Sequence, residues 1–146
     1  MASNLRGAKD PMPSSTTNPS KGLNIALWIA QALLLLAFGA AGGMKLFNPA
    51  VAEMAKTQSG MPYALTYFIG TAEVLGAIGV ILPAATRIQP KLTGWAAVGL
   101  GTIMVLALGL HVSRGEWSHV PPVLVLGALA GFVAWGRLKK APIPPR

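Results

Sequence analysis

The stretch that decides the fold runs from Tyr63 to Pro83, YALTYFIGTAEVLGAIGVILP. Its only charged residue is Glu73, and its length is what a helix needs to cross a bilayer core of about 30 Å. At about 100° per residue, Thr66, Ile69, Gly70, Glu73, Gly76, Ala77 and Val80 share one helical face, while Phe68, Leu75, Ile78 and Leu82 lie opposite. In lipid, a small face bearing a carboxyl turns towards other helices and a bulky face turns to the acyl chains. The segment therefore reads as one membrane helix of a bundle.

Working outward, three more runs of spanning length appear at Leu23 to Met44, Leu92 to Leu110 and Val120 to Trp135. Pro121 and Pro122 suit the first turn of the last one, where a missing N–H costs little. The expected fold is all-α, an integral membrane four-helix bundle over residues 23–136 with up-and-down connections. Composition agrees: of 146 residues, 53% are apolar and only 11% are charged, against about a quarter in soluble domains. Gly39 with Gly43, and Gly127 with Gly131, have the small-xxx-small spacing of close helix contacts, and Gly70 and Gly76 flank Glu73 on its inward face. Residues 1–22 are polar, carry Pro11, Pro13, Ser14 and Ser15, and read as a disordered tail retained ahead of the first span. Residues 137–146 read as a short basic tail.

Zero cysteines exclude a disulfide framework and thiol redox chemistry on this chain. The net charge of +8 would suggest a nucleic-acid partner on a soluble protein, but its distribution points to topology instead. Arg6, Lys9, Lys21, Arg87, Lys91, Arg137, Lys139, Lys140 and Arg146 fall on the side of the termini, and only Lys45, Lys56 and Arg114 on the other. Nine against three places both termini in the cytoplasm, with anionic lipid rather than nucleic acid as the partner of this charge.

Polar groups inside the spans are the candidate site, because an ionisable side chain in hydrocarbon is costly unless paired or hydrated. Glu73 lies about 15 Å before Pro83, near mid-membrane. Asn24, Gln31, Phe38, Gly42 and Lys45 form one stripe of the first helix, with Gln31 about 12 Å from its start and so at nearly the level of Glu73. A Gln31 to Glu73 hydrogen bond is expected. Lys45, at the outer edge, either snorkels to the headgroups or bends back towards Glu73. His111, at the end of the third span, either anchors at the interface or joins Lys45 in a shallow polar pocket. Asn48 and Pro49 form an N-cap and first-turn pair for a short interfacial helix to about Thr57. In the other outer loop, Trp117 reads as a headgroup anchor, and His111, Glu116 and His119 are not spaced as a metal site.

The runs Phe38-Gly39-Ala40-Ala41-Gly42-Gly43-Met44-Lys45-Leu46 and Gly70-Thr71-Ala72-Glu73-Val74-Leu75-Gly76-Ala77-Ile78-Gly79-Val80-Ile81-Leu82-Pro83 together resemble the DoxX-like family of small membrane proteins. The resemblance covers about Leu23 to Trp135 and carries over Lys45, Gly70, Glu73, Gly76 and Pro83, with His111 a looser correspondence. Some members resemble subunits of thiosulfate:quinone oxidoreductases and others accompany redox-stress enzymes. It thus implies a protein of the bacterial cytoplasmic membrane serving as an accessory or assembly subunit for a redox-enzyme partner. The alternatives are a quinone-linked oxidoreductase subunit, with quinone as cofactor, and a small solute or proton carrier acting as a homo-oligomer. The chain has no dinucleotide-binding glycine motif and no haem-style histidine pair, which favours the partner role over catalysis.

Overall fold

Ser20 opens the first helix: its hydroxyl accepts the Leu23 amide at 3.2 Å, satisfying one of the donors that a helix N-terminus leaves free. Helix α1 (Lys21–Phe47) ends at Asn48, which serves two helices. Its amide donates to the Met44 carbonyl at 3.0 Å, closing α1, and its side-chain oxygen accepts the Ala50 amide at 3.1 Å, starting α2 (Pro49–Ser59). Gly60, in the left-handed region at φ 63°, stops α2 and turns the chain into α3 (Tyr63–Thr86). Helix α4 (Lys91–Ser113) follows, then a 3-10 turn at Trp117–His119 and α5 (Val120–Trp135). A π turn, Gly136–Lys140, extends α5, its wide bond running from the Ala141 amide to the Gly136 carbonyl at 2.7 Å.

These elements belong to a computed structural model that describes residues 19–146. The first eighteen residues of the expected N-terminal tail lie outside the described residues; Lys21 and Gly22, counted with that tail, already belong to α1. Pro83 does not end its helix. Although it has no N–H for the Gly79 carbonyl, α3 continues to Thr86, whose hydroxyl donates back to the Leu82 carbonyl at 2.8 Å.

Four helical segments are long and apolar enough to cross a membrane: α1, α3, α4, and α5 with its flanking turns. They form a ring in the order α1, α3, α4, α5, closed by α1 against α5, and among the described residues the diagonal pairs bring no Cα atoms within 8 Å. The interior is small and apolar, with Leu27, Leu34, Phe38, Val80, Leu100 and Val133 buried among alanines. Outside stand Leu36, Phe68, Leu75, Leu106, Val105 and Trp95, all largely exposed as a lipid-facing surface requires. The inward face expected of α3 is the one buried, Thr66, Gly70, Glu73, Ala77 and Val80, continued by Ala84.

Glycine sets the distances between helices. A Cβ on Gly42 would stand 2.7 Å from the Gly70 carbonyl oxygen, and one on Gly70 would stand 2.8 Å from Lys45 Cβ, so α1 and α3 meet at backbone range. Gly76 likewise receives Leu100 from α4, and Gly136 receives Leu27 from α1. Of the small-xxx-small pairs, Gly127 touches Met104 at ordinary distance, whereas Gly39, Gly43 and Gly131 face open space within this chain. The α1 contact falls instead on Gly42, between the two expected positions, because it shares the stripe of Phe38 and Lys45.

Candidate functional site

The Gly42–Gly70 approach fixes how far α3 slides along α1, and with it which polar groups meet. Eleven residues back from Gly42 is Gln31; eleven forward from Gly70 is Ile81. Gln31 accordingly donates from Nε2 to the Val80 carbonyl at 2.5 Å and does not form the expected bond to Glu73. Glu73 stands about two helical turns away, roughly 10 Å along the axis, because the level of α3 against α1 is set by the Gly42–Gly70 contact.

Glu73 is 4% exposed and is paired with Lys45, whose Nζ lies 2.8 Å from Oε2. The direction of the side chains explains the pair. Every Cα–Cβ bond tilts towards the N-terminus of its own helix, and α1 and α3 are antiparallel, so Lys45 leans inward from the end of α1 while Glu73 leans out to meet it. Of the two outcomes left open for Lys45, the structure takes the bend back to Glu73. Its side chain stays 26% exposed, leaving one edge of the pair open.

The same geometry builds a second polar cluster at the other end of the bundle. Arg137 leans inward from the π turn: Nε donates to Gln31 Oε1 at 2.7 Å, and Nη1 donates to Asn24 Oδ1 at 2.8 Å and to the Ala141 carbonyl at 3.3 Å. The guanidinium also lies 5.3 Å from the centre of the Trp28 ring. Arg137 is 3% exposed, although its sequence position had assigned it to a basic tail. The signal was periodicity: it lies four residues after Val133 and seven after Ala130, both fully buried, and continues their stripe.

His111 meets neither Lys45 nor Glu73. Its Nδ1 lies 2.5 Å from Glu116 Oε2, and its ring stacks on His119 at 4.9 Å between centroids. Gly115, at φ 69°, turns the chain sharply enough to fold Glu116 back onto the end of α4. One ligand atom from each of His111, Glu116 and His119 falls within 4.8 Å of the others, a convergence that linear spacing concealed. Two imidazoles and a carboxylate are a donor set suited to a first-row transition ion. The bond to His111 holds the Glu116 carboxyl below its ordinary pKa. Arg114 ties this loop to α2 by donating to the Ser59 carbonyl at 2.6 Å, and Tyr63 donates to Glu53 from the first turn of α3.

A ring of four apolar helices with its buried carboxylate paired to a lysine defines an integral membrane helical bundle. The family model described as "DoxX-like family" matches residues 29–133, most of the chain, and the protein belongs to that family. No curated protein and no solved structure matches it.

Proposed function

We propose that this protein is an accessory subunit of the bacterial cytoplasmic membrane that seats a membrane-associated redox enzyme, with both termini cytoplasmic. The observation that carries the docking role is where space is found. The apolar interior is packed and its one carboxylate, Glu73, is bound to Lys45, while a groove of about 610 Å³ opens outward between α4 and α5. Its walls are Ala97, Gly101, Gly127, Ala128 and Gly131 beneath Val105 and Leu124, small residues that admit the backbone of another helix. The redox class of the partner rests on the family resemblance alone, and the orientation on the nine-to-three distribution of lysine and arginine.

A second reading is supported by the open edge of the Lys45–Glu73 pair. A quinone headgroup reaching that edge would meet an acid and a cation side by side, the groups needed to exchange a proton at a reducible ring. Mild-detergent purification from the native membrane separates the two, with copurifying proteins and extracted quinones measured in one sample. A stoichiometric redox enzyme without quinone is expected for an accessory subunit. Quinone retained by the wild type and lost in Glu73→Gln would replace docking with the redox role, and finding neither would overturn both.

A further inference from the structure

Arg137 is a buried cation with only neutral partners. Three of its five N–H donors go to Gln31, Asn24 and Ala141, and among the described residues Nη2 has no partner and no carboxylate forms an ion pair with the guanidinium. Burying a charge in this way is costly unless something of opposite sign completes it.

The surroundings show where that group would sit. Arg137 lines a pocket of about 180 Å³ at the end of the bundle where the described chain begins and ends. Asn24 and Trp28 of α1 form one wall, Arg87 at the end of α3 another, and the strap from Pro142 to Pro144 lies across it. The strap is held at both sides, by the Ala141 carbonyl on Arg137 and by the Arg146 amide donating to the Arg87 carbonyl at 3.2 Å. Among the described residues two arginines and no acidic residue line the pocket, and the N-terminal, positive end of α1 adjoins it. It lies at the end of the apolar spans, where a bilayer would present its headgroups.

We infer that this pocket binds an oxyanion of the phosphate class, either the headgroup phosphate of an anionic lipid or free inorganic phosphate. Arg137, with Nη2 unpartnered, is the buried cation that lines it, and Arg87 is the cation at its mouth. Neutral contacts to Gln31 and Asn24 aim the guanidinium without neutralising it, which leaves its charge for the ligand.

The test is thermal unfolding of the full chain in an uncharged maltoside detergent. Dihexanoylphosphatidylglycerol, sodium phosphate or dihexanoylglycerol is titrated at constant ionic strength. A saturable rise in Tm with an anion and none with dihexanoylglycerol is expected. Saturation by the phosphatidylglycerol alone assigns a lipid headgroup, and saturation by phosphate assigns the free ion. Arg87→Asn, which keeps a residue tolerant of the positive φ at that position, should weaken the apparent affinity about tenfold or more, as loss of a charge-assisted hydrogen bond does. Lys139→Gln, removing a basic residue outside the pocket, should leave it unchanged. Arg137→Gln should abolish the effect; if that variant does not fold, Arg87→Asn carries the test. No saturable stabilisation by either anion, or equal losses in Arg87→Asn and Lys139→Gln, would overturn the inference. So would anion binding that emerges only in Asp10→Asn, since that carboxylate would then be the group filling the pocket.

Discussion

Lys45 and Glu73 stabilise the bundle only as a pair. Lys45→Met leaves a carboxyl buried and unmatched and should cost about 3 kcal/mol, whereas Lys45→Met with Glu73→Leu should recover most of that loss. Thermal unfolding in detergent reads both, and equal destabilisation by the single and double changes would refute the coupling. Glu116 obeys a different rule because it lies outside the spans. Its pKa is lowered in the folded chain, so its contribution is present above the unfolded carboxylate range and is lost as pH falls through the lowered value. Amide protection factors across residues 114–119, corrected for the intrinsic pH dependence of exchange, should therefore hold through mildly acidic pH and fall only below the ordinary carboxylate range. Release of the loop above that range would show that His111 does not hold Glu116. At this scale the sequence disclosed Glu73 and Lys45 because charges in an apolar run stand out. Arg137 was hidden by its neighbours, since Lys139 and Lys140 made it look like the start of a solvated tail.

Among the helices, contact distance is set at Gly42 and not at its neighbours. Gly42→Ala must push α1 away from the Gly70 carbonyl and should destabilise by about 1–3 kcal/mol, as overpacking does. Gly39→Ala meets nothing within this chain and should be neutral or stabilising by about 0.5–1 kcal/mol through helix propensity. If the two variants unfold together, the α1–α3 approach is not where the structure has it. The face of α3 was legible because seven inward positions and four bulky ones separate cleanly at helical period. The level of one helix against another was not, since it depends on where each helix begins and ends. Pro83 concealed the last turn of α3, and the meeting of Gly42 with Gly70, which sets Gln31 beside Val80 and not Glu73, was not readable either.

Across the whole molecule, four spans and the family were legible from apolar length and two glycine-rich motifs, while the ring order was not, because every helix presents similar small residues to its neighbours. Orientation remains the most direct global prediction. A chain without cysteine can be probed one thiol at a time, and Ser118→Cys should react with a membrane-impermeant maleimide added to intact spheroplasts, whereas Lys139→Cys should react only after lysis. The reverse pattern would invert the protein and place the Arg137 pocket on the outer face. The junction of the ring has a consequence for biogenesis. Arg137, after the fourth helix, satisfies Gln31 and Asn24 of the first. A nascent chain interrupted before that residue leaves both amides short of this partner, so the first helix reaches its final hydrogen bonding only once the fourth has been inserted.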